Sequence, residues 1–184
     1  MFIEMQPPRS AWLDEFGAEL PEFLAGFPPA ASLAYLPGVA RLEWAANRAL
    51  HAPDAEPLDL SRLAAIDPAD HGRIRFVPHP SLGLVQADHP VDAMWRAVLA
   101  QDDTEMAAID LAAGPAWLLV ERCATGVEVA RLTEPQWRFI AELCASRPLQ
   151  AAIDAAPAID AAILLAEHLA AGRFFDFELP LDAG

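Results

Sequence analysis

Five histidines and two cysteines are the side chains here best suited to metal or nucleophile chemistry, and their spacing favours neither. His51, His71, His79, His89 and His168 include no pair close enough in sequence to share a helix face or a hairpin, the arrangement on which zinc sites are built. His79 lies between Val77-Pro78 and Pro80, a context that predicts a rigid bend more than a ligand. Cys123 and Cys144 match no metal motif, and no serine sits in a strand-turn-helix elbow. Cys144 falls on the apolar face of a predicted helix, where a buried thiol behaves as a small hydrophobe. Nine scattered Gly form no phosphate-cradling loop. Carboxylates are abundant, but acid–base catalysis needs a pair with environments pushed apart, which spacing does not reveal. The expectation is a chain without catalytic residues, cofactor or metal of its own.

The elements that would position any binding surface follow from apolar periodicity and punctuation. Ser10 predicts the cap of a helix over 10–16, Pro21 opens a second that carries Phe23 and Leu24, and Pro28-Pro29 stops it. Val39, Leu42, Ala46 and Leu50 recur at helical spacing and predict a helix over 36–51. Asp59 predicts a cap for a helix to residue 66. From Arg73 the period changes to two. Residues 73–77 and 82–85 predict two strands joined by the His79-Pro80-Ser81 bend. A helix over 88–101 follows, with Val91, Met94, Trp95 and Val98 as its stripe, then an acidic, Ala-rich stretch at 100–113 read as a flexible connection.

Residues 117–122 and 127–132 predict a hairpin around Ala124-Thr125-Gly126. Thr133-Glu134-Pro135-Gln136 has the layout of a capping box, with Trp137, Ile140, Leu143 and Cys144 as the stripe of the helix it opens. Helices over 149–155 and 158–171 and a closing strand at 174–179 complete the chain. The fold class expected is α+β: a helical domain at 1–72, then an α+β domain at 73–184 with a small antiparallel sheet. The hairpin, three helices and terminal strand of that second domain together suggest a winged-helix-like arrangement.

Charge narrows the partners. Twelve basic residues, all Arg, stand against 27 Asp and Glu, for a net charge of −15. Nucleic acid and anionic membranes are disfavoured partners for such a body. From residue 133 onward Arg138, Arg147 and Arg173 face eight acids, and the helix that would read DNA, 158–171, carries no Arg or Lys. No signal peptide precedes the chain's first helix, and two unpaired Cys suit a reducing compartment, so a cytoplasmic setting is expected. A composition of 54 % hydrophobic residues excludes disorder.

Two surfaces qualify for binding polypeptide. Trp117, Leu119 and Glu121 on one strand, and Val127 and Val129 on the next, would either offer a free sheet edge to an added strand or be core strands, the latter being the default for such residues. Arg41 and Glu43, beside Trp44, would either make buried polar contacts that lock their helix or face a partner; the first is favoured, because buried charges are usually paired.

Pro7-Pro8-Arg9-Ser10, Phe16-Gly17-Ala18-Glu19-Leu20-Pro21-Glu22-Phe23-Leu24, Pro28-Pro29, Tyr35-Leu36-Pro37-Gly38-Val39-Ala40-Arg41-Leu42-Glu43-Trp44 and His79-Pro80-Ser81-Leu82, with a Trp-bearing helix at Trp95, resemble the HvfC/BufC family. Its members were first described as carrying a DNA-binding domain. They are associated with maturation of ribosomally synthesised, post-translationally modified peptides and with responses to metal stress. The resemblance implies a non-catalytic accessory subunit. Its partners would be a Cys-containing precursor peptide, held by its leader, and an HvfB/BufB-type TIM-barrel oxidase that supplies the iron. Arg41, Glu43, Trp44, His79, Trp117, Leu119, Glu121, Val127 and Val129 are the residues expected to serve binding. Family members carry a further helical segment before the position of Pro7-Pro8, so 1–72 is expected to be the remainder of a longer domain. The runner-up is a DNA-binding regulator of a metal-stress response.

Overall fold

The computed structural model describes residues 17–180; the expected helix over 10–16 lies outside them. In chain order the elements are α1 (Leu20–Ala25), a 3-10 turn (Pro28–Ala30), α2 (Leu36–His51), α3 (Leu60–Ala64), a second 3-10 turn (Pro68–Arg73), β1 (Arg75–Pro78) and β2 (Gly83–Ala87). Then come α4 (Val91–Ala100), α5 (Asp103–Ala108), β3 (Ala116–Cys123), β4 (Gly126–Leu132), α6 (Glu134–Cys144), α7 (Leu149–Ala155), α8 (Ala161–Ala170) and β5 (Phe174–Glu178). The protein is α+β, with helices around small antiparallel sheets.

Local chemistry accounts for many of the boundaries. The Asp59 carboxylate accepts the Ser61 amide at 2.9 Å and starts α3. The Thr133 hydroxyl accepts the Gln136 amide at 3.4 Å while the Gln136 side chain accepts the Thr133 amide at 3.0 Å, the reciprocal box that opens α6. Gly126 has φ +128, a conformation the β3–β4 turn demands and a side chain resists. The stretch 100–113 departs from its reading as a flexible connection. Asp102 accepts the amides of Thr104 and Glu105, both at 2.9 Å, and caps α5 within it.

The chain groups into two compact units, each made of two segments. One holds the described residues up to Ala52 together with Gly83–Arg131; the other holds Pro53–Leu82 with the described residues from Leu132 onward. The expected division at 72/73 therefore does not follow the contacts. β1 and β2 form as strands, but they part company at the bend: β1 pairs with β5, and β2 pairs with β3. The β3–β4 hairpin accordingly joins β2 in the first unit rather than the three C-terminal helices, which removes it from the winged-helix-like grouping expected of them.

In the first unit β2 runs antiparallel to β3, with Gly83 opposite Val120, Val85 opposite Leu118 and Ala87 opposite Ala116. This face packs on α2 through Leu42, Ala46 and Ala49, all buried, with Val91 closing the cluster. Leu50, expected on that stripe, is 50 % exposed; Ala49 takes the inward position. Gly38 permits the close approach. A Cβ there would lie 3.1 Å from both the Ala87 Cβ and the Val91 Cγ1.

A buried carboxylate, Asp92, ties α4 to β4. Its oxygens lie 3.0 Å from Arg96 Nη2 and 3.6 Å from Arg131 Nη2. Its place in the first turn of α4 adds the favourable end of the helix dipole.

In the second unit β1 and β5 pair antiparallel, Phe76 opposite Phe177, with an irregularity between Val77 and Pro78. The Phe76 and Phe174 rings meet at a tilt of 47°, with centroids 5.2 Å apart. Phe139, Ile140 and Leu143 of α6 and Leu149 and Ala152 of α7 are buried with them. The Leu149 amide donates to the Ile74 carbonyl at 2.8 Å, fixing the start of α7 beside the residue that leads into β1.

Gly38→Ala sets a helix-propensity gain of about 1 kcal/mol against an overpacking cost of about 1–3 kcal/mol. Because both neighbours are themselves held in the core, a net loss is expected, read as a lower urea midpoint at unchanged slope. A midpoint at or above the parent's would show that α2 can retreat from the sheet.

Candidate functional site

The chemistry-bearing side chains are largely spent on local structure. The His51 Nδ1–H donates to the Asn47 carbonyl at 2.9 Å, the His71 Nε2–H to Ile66 at 3.1 Å, and the His89 Nδ1–H to Leu111 at 3.1 Å. His79 makes the bend its context predicts. Its Nδ1 accepts the Ser81 amide at 3.1 Å and lies 2.8 Å from the Ser81 hydroxyl, while its amide donates to the Arg173 carbonyl at 2.9 Å. Among the described residues no three His, Cys, Asp or Glu converge as metal ligands. No helix there is long and apolar enough to cross a membrane.

His168 and Cys144 sit in the second unit and are changed by burial. His168 is 1 % exposed. Arg173 Nη1 donates to its Nδ1 at 2.8 Å, so the neutral ring carries its proton on Nε2, which has no partner among the described residues. Desolvation, reinforced by the Arg173 charge, lowers its pKa to about 4. Burial alone pushes the Cys144 thiol up to about 12. Cys123 and Cys144 are both half-buried by exposure; the Cys123 sulfur, at the end of β3, lies 3.2 Å from the Thr125 hydroxyl.

Two concave surfaces of the first unit border α2. One cavity, about 410 Å³, is lined by Leu36, Val39 and Glu43 of α2 and by Met94, Trp95 and Val98 of α4. Tyr35 closes one end, and Met106, Ile109 and Leu111 close the other. Its polar side-chain groups are the Tyr35 phenol, the Trp95 indole N–H and the Glu43 carboxylate, and among the described residues no cation lines it. A second cavity, about 370 Å³, shares Tyr35 and is more polar, with Arg41, Asp88 and His89 in its wall and Gly38 at its floor.

The binding residues expected from sequence are placed unevenly. Arg41 and Glu43 are exposed rather than locked in buried contacts. Arg41 lies 3.8 Å from an exposed Glu22 in an open ion pair, and Glu43 stands at the rim of the apolar cavity. The burial reading fails because Leu42 alone of this triplet points at the sheet. Trp44 is half-buried, its ring 3.5 Å from where a Gly17 Cβ would stand. Trp117, Leu119 and Glu121 lie on β3, the central strand, paired on both sides, so they offer no free edge. Leu119 is fully buried, and Val127 and Val129 pack partly buried against the core from β4, the outer strand. His79 belongs to the second unit and joins none of these.

Sequence reading missed Met106, Ile109 and Leu111 because their stretch looked like a connection. It took Val98 for core, whereas Val98 is 61 % exposed at the mouth of the apolar cavity. An apolar triplet embedded in an acidic stretch was the available signal. The arrangement holds apolar side chains next to one carboxylate; it brings no nucleophile and base together.

No family model matches this sequence, and no curated protein matches it.

Two outcomes follow from burial. At pH 8 a thiol reagent is expected to modify Cys144 far more slowly in the native chain than after denaturation, since the thiolate is the reactive form and burial disfavours it; equal rates in the two states would contradict it. For His168, the unfolded ring (about 6.5) takes up its proton before the folded ring (about 4). The stabilisation is therefore fully present above pH 6.5 and is lost as pH falls through 4, at most about 3 kcal/mol. Asp59 and Asp176 are held below the ordinary carboxylate value, Asp59 chiefly by the Ser61 hydroxyl and Asp176 chiefly by the Phe177 amide. They lose their contributions below that window. Urea midpoints measured between pH 7 and 4.5 should fall for the parent and stay level for His168→Leu; parallel curves would refute the assignment.

Proposed function

We propose that this chain is a non-catalytic, cytoplasmic accessory subunit in the maturation of a ribosomally synthesised, post-translationally modified peptide. It holds the leader of a Cys-containing precursor and an iron-dependent TIM-barrel oxidase of the HvfB/BufB type, and the iron belongs to the oxidase.

One observation carries this reading: segment 35–44, one of those on which the resemblance to the HvfC/BufC family rests, divides its residues between fold and surface. Gly38 and Leu42 serve the packing of α2. Tyr35, Leu36, Val39 and Glu43 line the apolar cavity, and Tyr35, Pro37 and Arg41 line the polar one. A motif confined to packing would leave the outward positions free to be any soluble residue. Here those positions build concave, mixed apolar and polar surface, the character of sites that hold other polypeptides.

The net charge of −15 supports a protein partner over nucleic acid, because binding to phosphates draws its strength from Lys and Arg. The outer strand β4 gives the leader a second means of attachment, by main-chain hydrogen bonds along the side that no described strand pairs.

The test is assembly. The purified chain, mixed with the oxidase and precursor peptide encoded beside it, should co-elute with both in size exclusion and be required for the oxidase to modify the peptide. Separate elution of all three, or modification at full rate without this chain, would overturn the reading. Salt-dependent capture of duplex DNA would replace it with the regulator.

A further inference from the structure

We infer that the apolar groove between α2 and α4 is a docking site for a cationic amphipathic segment of a partner polypeptide, with Glu43 receiving the cation. This deepens the reading that the first unit holds polypeptide, and rests on it.

The shape argues for a segment rather than a small molecule. Apolar surface does not stop at the cavity. Val98 at its mouth is 61 % exposed, the adjoining Leu99 64 %, and Leu111 at the far end 45 %. A compact ligand filling about 410 Å³ would leave that apolar rim in water. A peptide that seats one or two apolar side chains inside covers the rim with its remaining length, as an amphipathic helix does in a groove.

Charge selects the sign of that segment. Glu43 is the charged group of the lining. The element that closes the groove, α5, opens on Asp102, Asp103 and Glu105, and Asp110 follows, its carboxylate holding the Ala112 amide. The cations on α4 and β4, Arg96 and Arg131, face the buried Asp92, which offsets one of their two charges, and neither lines the groove. A Lys or Arg on the incoming segment therefore meets Glu43 at the edge of the apolar lining, with the acidic start of α5 adding longer-range attraction.

A second copy of this chain fits poorly. A two-fold contact through this patch would set Glu43 and the acidic start of α5 against their own duplicates. An anionic lipid surface meets the same repulsion.

The experiment uses the whole chain and three fluorescein-labelled synthetic twelve-residue peptides: Leu and Lys at amphipathic helical spacing, the same with Glu for Lys, and the same with Ala for Leu. Anisotropy at moderate salt should show saturable binding of the Leu/Lys peptide, with both controls weaker by about tenfold or more. Val98→Asn, at an exposed position, should weaken the Leu/Lys peptide about tenfold, Glu43→Lys should shift preference to the Leu/Glu peptide, and Leu60→Asn, at an exposed apolar position of the other unit, should change nothing. Equal affinity for the Leu/Lys and Ala/Lys peptides, or indifference to both groove variants, would overturn the inference as general electrostatic attraction. A concentration-dependent dimer abolished by Val98→Asn would overturn it in favour of self-association.

The two readings fail separately. Peptide binding that obeys these variants, without any complex with oxidase and precursor, would sink the proposed function and leave the groove standing. A normal complex indifferent to Val98→Asn and Glu43→Lys would do the reverse.

Discussion

The packing of α2 on the β2–β3 face is the constraint on which the rest of the first unit depends. Leu42, Ala46 and Ala49 are small or medium side chains at helical spacing, and together with Gly38 they let the helix lie close to the strands. Once those residues are committed inward, the remaining faces of α2 have no freedom. Tyr35, Val39 and Glu43 must look toward α4, and Arg41 must look away from the sheet. The surface chemistry is thus a consequence of the core. A side chain of different volume at Gly38 or Ala46 would move both clefts by shifting the helix that carries them.

Asp92 holds the opposing wall. A carboxylate that is 1 % exposed would be costly alone, and it is tolerated because two guanidiniums and a helix N-terminus face it. Arg96 and Arg131 are both about half exposed, so they retain water while Asp92 loses it. The net stabilisation of such a pair is small; its value lies in orientation. Asp92 fixes α4 to β4, and α4 then presents Met94 and Trp95 to the groove. Asp92 offsets one of the two arginine charges, and in the lining of the groove itself Glu43 is the charged side chain.

What could be read in the sequence was whatever local chemistry decides. The bounds of α2, the Asp59 and Thr133 caps, the β3–β4 turn and the bend at His79 rest on contacts within a few residues. Each emerged from spacing and punctuation. What could not be read was long-range pairing. Nothing in Arg75-Phe76-Val77 states that its partner is Phe177 rather than the strand that follows the bend, because an alternating strand is compatible with either. The same blindness hid the groove: Val98 has the spacing of a core residue and is exposed only because α4 buries Val91, Met94 and Ala97 instead. Asp102 is the instructive intermediate. Its capping of Thr104 and Glu105 is a local contact, yet the acidic, Ala-rich composition around it pointed to a linker and the cap went unread.

The interleaving of the units has a physical consequence for how this chain can be divided. The sequence suggested a cut between 72 and 73, which would leave α2 on one piece and its whole sheet on the other. Leu42, Ala46 and Ala49 would lose the strands that bury them, and Val85, Leu118 and Val120 would be left uncovered. The same cut would strip the second unit of α3 and the turn at Pro68–Arg73, where Gly72 lies against Gln150 of α7 and Arg62 pairs with Asp176 at 2.9 Å. Each unit depends on contacts between segments more than 30 residues apart in the chain. Loop closure must therefore precede most of its stabilisation. The helical and α+β portions are parts of shared cores, not modules, and the α2 surface draws its rigidity from strands that come later in the chain.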